Sequence, residues 1–254
     1  MRLQSKLSST IFILAVSLAT ASASVVTYSG EDIMPTTTSA HPISAAAAAS
    51  FATAVGTLGT SSLVTFEGDA LGSFSHLTIA PGVTMNGTDY NGANQTIRNT
   101  SNSPTIPTLD GYNTTPGGAY FVEMQAGTLT FTFASPIDAF GAYFSGVQYF
   151  FSGESIQFSD GTSETISIPE AGTNGGIGAL DFVGFTDVGK SITSITIDAG
   201  TSTDPGADYI GVDDVQFLTI PSTSAPEPSS IGLAVSGSIG LALLMLRRRR
   251  AQQA

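Results

Sequence analysis

The sequence predicts a mainly β protein: a single β-sandwich with one short N-terminal helix. Three observations lead there. Apolar residues recur with a period of two, as where Leu129, Phe131 and Phe133 alternate with threonines and Ile166 and Ile168 with polar residues. Turn-forming residues are abundant, with 28 Gly and 12 Pro in 254 residues and Gly-rich breaks at 116–118 and 172–178. Only one segment of the body has a helical composition. Many short strands, Gly/Pro turns and a single helix indicate a sandwich rather than an α/β fold.

In chain order, residues 24–43 are polar, with the run Thr36-Thr37-Thr38 and two prolines, and are expected to form a loose arm. Ser44 is a candidate N-cap for a helix over Ala45 to Val55, an alanine-rich run closed by Gly56. From Leu63 onward about ten short strands are expected, near 62–66, 76–79, 83–86, 119–125, 127–133, 138–144, 154–159, 163–168, 181–185, 192–198 and 209–218, one of these stretches being surplus. Asp160-Gly161 supplies a hairpin turn between Glu154–Ser159 and Glu164–Ile168. The pairs Phe140/Phe144 and Phe182/Phe185 suit core positions, and no internal repeat is evident.

Composition narrows the function. The net charge is −12, from 20 acidic and 8 basic residues, and charged residues make up only 11%. What is missing is Lys and Arg. Between Ser24 and Ala225 stand nineteen acidic and two basic residues, Arg98 and Lys190, for a net of −17. No basic patch is available to neutralise phosphates, so nucleic acid is not an expected partner. Cysteine is absent, which excludes disulfides, thiolate nucleophiles and Cys-based zinc sites.

The remaining basic residues mark the two ends. Arg2 and Lys6, the apolar run Ile11 to Leu18 and the small residues Ala21-Ser22-Ala23 form a secretory signal over 1–23, cleaved after Ala23 or Ala21. At the other end, Ser229 to Leu246 is uncharged for 18 residues and meets Arg247, Arg248, Arg249 and Arg250 directly. As a helix it spans about 27 Å, slightly short of a hydrocarbon core of about 30 Å. The arginines stay cytoplasmic by the positive-inside rule, which puts the body outside the membrane. The expected organisation is signal peptide 1–23, arm and helix 24–60, β-sandwich 61–220, linker 221–230, transmembrane helix 231–246 and cytoplasmic tail 247–254.

Pro226-Glu227-Pro228 lies just before that apolar helix. The triplet, the helix and the terminal arginines together resemble the PEP-CTERM sorting signal, a motif also catalogued as the ice-binding-protein C-terminal motif. The resemblance covers residues 225–250, with Ala225 where the family often has Val. It implies export through the secretion translocon, transient anchoring in the inner membrane of a Gram-negative bacterium, and processing near Pro226, Glu227 and Pro228 by an exosortase. The released body then belongs to the cell surface or the exopolysaccharide matrix. The two prolines hold an extended peptide that a protease can read.

One constellation joins the ends of the body: Phe66-Glu67-Gly68-Asp69 at the first expected strand and Ile210-Gly211-Val212-Asp213-Asp214-Val215 at the last. This pairing resembles jelly-roll sandwiches of the carbohydrate-binding and galactose-binding-like type, and implies a jelly-roll-like order in which such acids help hold a structural calcium. Neighbouring strands bring Glu67 near Asp213 or Asp214, and only one of that pair is expected to join it, because alternate residues face opposite ways. Close carboxylates repel unless a proton or cation intervenes, and with Lys and Arg so scarce a hard cation, Ca2+, is the available partner. Solvated strand-end acids without metal are the plain alternative.

Other features carry less. Asp204-Pro205-Gly206-Ala207-Asp208 is a solvated turn without EF-hand spacing. Asn86-Gly87-Thr88, Asn94-Gln95-Thr96, Asn99-Thr100-Ser101 and Asn113-Thr114-Thr115 match glycosylation sequons but belong to Asn/Thr-rich loop in a bacterial protein. His41 and His76 are the only histidines, and no nucleophile elbow, phosphate loop or His-x-x-x-His pair occurs. The expectation is a non-enzymatic surface or matrix protein, structural or adhesive in exopolysaccharide. A carbohydrate-binding module, with Tyr112, Tyr120, Tyr143 and Tyr149 as stacking candidates, and a hydrolase of matrix polysaccharide are the alternatives.

Overall fold

The computed structural model describes residues 25–34, 40–99, 111–148, 153–158, 161–168, 178–187, 192–200 and 209–218. The signal peptide, the sorting motif, the apolar C-terminal segment and its arginines, Asp160, Lys190 and the 204–208 cluster lie outside these residues. Among the described residues no helix is long and apolar enough to cross a membrane.

The helix is α1 (Pro42–Leu58). The strands are β1 (Val26–Met34), β2 (Ser62–Val64), β3 (Gly72–Phe74), β4 (His76–Ala80), β5 (Val83–Thr88), β6 (Gln95–Asn99), β7 (Tyr120–Gln125), β8 (Thr128–Ile137), β9 (Ala139–Val147), β10 (Gly153–Phe158), β11 (Ser163–Ile166), β12 (Gly178–Thr186), β13 (Ile192–Asp198) and β14 (Tyr209–Leu218). They build two sheets of a mainly β sandwich. The larger has the order β1-β12-β9-β14-β7-β6-β3 with β2 also beside β14, and the smaller runs β11-β10-β13-β8-β5-β4.

Alternation explains the smaller sheet. Val83 and Met85 of β5, Leu129, Phe131 and Phe133 of β8, and Ile195 and Ile197 of β13 are buried, while the threonines between them face outward. Their inward side chains meet Phe140 and Phe144 of β9, Val183 and Phe185 of β12, and Val212, Val215 and Phe217 of β14 in one core. Aromatic contacts cross between the layers, Phe131 to Phe140 at 5.3 Å and Phe133 to Phe217 at 5.8 Å.

Strands β9 and β12 are buried on both faces, because α1 covers the outside of the larger sheet. Phe51 and Val55 of α1 pack there with Phe182. The docking depends on two glycines in direct register, Gly141 on β9 and Gly184 on β12. A Cβ at Gly184 would stand 2.9 Å from the Phe51 ring, and one at Gly141 2.9 Å from both Phe51 and Phe182.

Four elements depart from the sequence-based expectation. Within the expected arm, Val26–Met34 form strand β1, paired with β12 over nine residues. Its centre, Gly30-Glu31-Asp32, has weak strand propensity, so the pairing is a tertiary effect. Strands β3 and β6 are also additional; both are short. Ser44 is not the N-cap: the helix begins at Pro42, and its first N–H groups are taken by Asp32 of β1. That carboxylate accepts from Ile43 N at 3.0 Å, Ser44 N at 2.7 Å and Ser44 Oγ at 2.8 Å. An acid from a neighbouring strand thus caps the positive end of the helix.

Gly184→Ala is expected to push Phe51 out of its groove and lower unfolding stability by about 1–3 kcal/mol. A urea midpoint equal to that of the unchanged protein would show that the groove does not hold the helix.

Candidate functional site

Strand β14 sits at the centre of the larger sheet and changes partners along one edge. Tyr209 to Val212 pair with β7, and Val215 to Phe217 with β2. Between them, pairing to β9 jumps from Asp213↔Tyr143 to Gln216↔Gly141, so β14 carries one extra residue. Asp214 occupies the left-handed region at φ 48. This is a β-bulge, and it turns both aspartates toward the 113–115 segment. The expectation that only one of the pair would join fails for this reason, since the simple pleat is broken where they sit.

Asp213 is fully buried. Its Oδ2 accepts from Thr114 N at 2.7 Å, Thr115 N at 3.2 Å, Thr114 Oγ1 at 3.1 Å and Asn113 Nδ2 at 3.1 Å, while Oδ1 accepts from Asp214 N at 2.8 Å. Asp214 accepts from the hydroxyls of Thr114 at 3.0 Å and Thr115 at 2.7 Å. Glu67 stands on the other side, just after Phe66 at φ 59. Its Oε1 accepts from Ala119 N at 2.7 Å, Tyr120 N at 2.8 Å and Asn113 Nδ2 at 2.9 Å. The Asn113 amide also donates to Tyr120 O at 2.8 Å. Glu67, Asp213 and Asp214 are therefore gathered in one place, with Asn113 bridging Glu67 to Asp213.

Burial, then the charge of Asp214, pushes the Asp213 carboxyl up to about 7, against the lowering effect of the N–H groups of Thr114, Asp214 and Thr115. The donors around these oxygens are N–H and O–H groups aimed where a cation's charge would be needed. No three Asp, Glu, His or Cys side chains stand in a metal-holding arrangement among the described residues. The cluster as folded does not fit a calcium cage. It acts as a clasp that closes the fork between β2 and β7.

The other sequence candidates fall as follows. His76 opens β4 and is exposed, with Nδ1 2.7 Å from Asn86 Oδ1. Tyr112 is buried, Tyr143 packs edge-on against Phe182 at 5.2 Å, Tyr120 packs against the core, and Tyr149 lies outside the described residues. Asn113-Thr114-Thr115, which matches a sequon, is the clasp's donor segment; its signal in sequence is only its density of side-chain donors. Arg98 of β6 forms an ion pair with the buried Glu123 at 2.7 Å. It lines a depression of about 160 Å³ with Leu71, Thr96, Ile97 and Asn99.

One buried acid has a different environment. Asp181 of β12 is fully buried, and both its oxygens lack a hydrogen-bond partner. Burial first, then the charges of Glu31 and Asp32, push its carboxyl up to about 9.

No family model matches the chain, and no curated protein matches it. Among solved structures, the chain is similar to the K2 cleaved adhesin domain of Lys-gingipain, with a TM-score of 0.37 and 15% identity, over 63% of this chain and 100% of that one.

Asp213→Ala strips the acceptor from Thr114 N and Thr115 N at a buried place, and is expected to cost about 2–4 kcal/mol of stability. Glu67→Gln keeps an acceptor for Ala119 N and Tyr120 N, and its loss in urea unfolding is expected to stay below about 1 kcal/mol. Equal losses in the two variants would contradict the clasp.

Proposed function

We propose that this chain is an exported, non-enzymatic matrix protein. Its Pro226-Glu227-Pro228 tag is read by an exosortase, and its jelly-roll-like body attaches to neutral polysaccharide outside a Gram-negative cell. The observation that supports attachment is the outer face of the six-stranded sheet. Register aligns His76, Asn86, Thr130 and Thr196 in one row across β4, β5, β8 and β13. Thr78, Thr84, Thr132 and Ser194 form the next row. Thr88 and Thr128 begin a third that ends at Asp198. Across β10, the first row reaches Thr165 of β11 in register, and the second Ser163.

This face carries hydroxyl and amide groups on a body whose net charge is −17 between Ser24 and Ala225. Threonine is a good strand former, so its presence alone is unremarkable. What marks the face is that Asp198, at one corner, is the acid in these rows. A neutral partner approaches it without the repulsion that an acidic polymer would meet. The rows repeat at roughly 4.8 Å across strands and 6.8 Å along them, and the strand-to-strand twist of about 20° bends the array away from a plane. A flexible chain of neutral sugars can follow such a surface. Each exposed hydrogen bond contributes only about 1 kcal/mol or less, so binding rests on many repeats of the polymer. Of the tyrosines suggested for a stacking platform, Tyr112 is buried and Tyr120 and Tyr143 are packed against other side chains, which favours this mode over a lectin pocket.

Mature protein is expected to be retained on an insoluble neutral glucan and not on an acidic polysaccharide. Thr78→Glu combined with Thr132→Glu is expected to weaken retention about tenfold, or about 1.4 kcal/mol, without lowering the melting temperature appreciably. Retention unchanged by the two charges would remove the face from the reading. For sorting, replacing Pro226, Glu227 and Pro228 with alanine in a host that has an exosortase is expected to leave the protein in the membrane fraction. Normal release of that variant would sink the sorting proposal.

A further inference from the structure

Glu31 of β1 and Asp181 of β12 are direct cross-strand partners. The residue across from Asp181 on its other side is Phe144 of β9, a member of the inter-sheet core. Paired residues share a face, so Asp181 and Glu31 lie on the core-side face of the larger sheet, Asp181 fully buried and Glu31 half-buried on the edge strand, where its same-face neighbours Ser29 and Ile33 are exposed. Directly opposed like charges destabilise a sheet. The other buried acids around them have donors: Asp32 caps α1, Asp213 sits in the clasp and Glu123 pairs with Arg98. Asp181 has none, and both its oxygens are shut off from water. Arg98, the one Lys or Arg among the described residues, is on β6, with β9, β14 and β7 between it and β12.

We propose that Glu31 and Asp181 form a cation site at the β1 edge of the sandwich, selective for calcium over magnesium. A hard divalent ion is matched to this pair because it satisfies oxygen lone pairs that no donor reaches and cancels the repulsion between them. Two carboxylates supply up to four of the six to eight oxygens that calcium takes. Main-chain carbonyls and water complete the set, and the half-buried Glu31 at an unpaired strand edge gives water and ion a way in. Magnesium holds its own waters in strict octahedral order and is poorly served by a site whose protein ligands come from one narrow strand pair. With only two acidic ligands, affinity belongs in the range of extracellular modules, with Kd about 0.1–1 mM. The site is separate from the clasp at Glu67, Asp213 and Asp214, where N–H and O–H donors hold Glu67 Oε1 and the carboxylates of Asp213 and Asp214.

The test uses the mature protein, first stripped with chelator and then melted in 10 mM CaCl2 or 10 mM MgCl2. Calcium is expected to raise the melting temperature by about 3–7 °C, magnesium by clearly less. Asp181→Asn is expected to abolish the calcium response, while Glu67→Gln responds like the unchanged protein. Because Asp181→Asn alters a buried position, Glu31→Gln at the sheet edge serves as the second variant, with an expected loss of at least half the response. Terbium luminescence excited through tyrosine, displaced by calcium and absent in Glu31→Gln, gives a readout independent of stability. No calcium shift in the unchanged protein, or a shift that survives in both Glu31→Gln and Asp181→Asn, would falsify the site. Loss of the response in Glu67→Gln would move calcium to the clasp and overturn it equally.

Discussion

The larger sheet depends on how β14 shares one of its edges. A strand that serves β7 along its first half and β2 along its second must have a place where neither partner is present. There the backbone of both partners ends, and hydrogen-bonding groups would be stranded. The bulge at Asp213 and Asp214 falls at that place. Carboxylates stand in for the missing backbone acceptors: Asp213 takes the N–H groups of Thr114 and Thr115, and Glu67 those of Ala119 and Tyr120 at the start of β7. Asn113 ties the two sides together. An isolated pair of acids would repel; acids each holding several N–H dipoles do not need a metal to coexist.

The same device recurs elsewhere and explains how an acidic body with almost no cations remains folded. Asp32 holds the first N–H groups of α1, Asp89 those of Asn91 and Ala93, and Asp198 that of Gly200. In most soluble proteins surface acids are balanced by Lys and Arg. Here they serve as acceptors for main-chain N–H groups at turns, helix ends and strand ends. Charge-assisted bonds of this kind are stronger than neutral ones, so they offset part of the repulsion that a net charge of −17 builds up.

Much of the fold was legible because the smaller sheet obeys one local rule. The alternation at Leu129, Phe131 and Phe133 marks β8, and similar patterns mark β5 and β13, so strand positions there follow from the residues alone. The departures have one cause each. Strand β1 is formed by pairing with β12 against its own weak propensity, and the start of α1 is set by Asp32, twelve residues before Ser44. Neither signal is local. At the clasp, the sequence places Glu67 and the Asp213–Asp214 pair together through the meeting of first and last strands. What it lacks is any mark of the bulge, since Asp214 at φ 48 looks like any other strand residue until its neighbour's register is known. The donors at 113–115 were equally hidden, because donor density has no period.

The distribution of charge over the two layers follows from these roles. Glu31, Asp32, Glu123, Asp181, Asp213 and Asp214 all belong to the larger sheet, where Asp32 serves a helix start and Asp213 and Asp214 a bulge. The smaller sheet's ladders from β4 to β13, shifted in register only at Thr78/Ala80 and Ile192/Ser194, satisfy most of their own backbone, and their outward positions are filled mainly by Thr, Ser and Asn, with Asp198 at one corner. A face with a single acid in its rows thus stands against a layer whose acids serve irregular places. Salt screens the acidic layer and leaves hydroxyl contacts on the other largely unchanged. The proposed cation site and the proposed polysaccharide face accordingly lie on different layers.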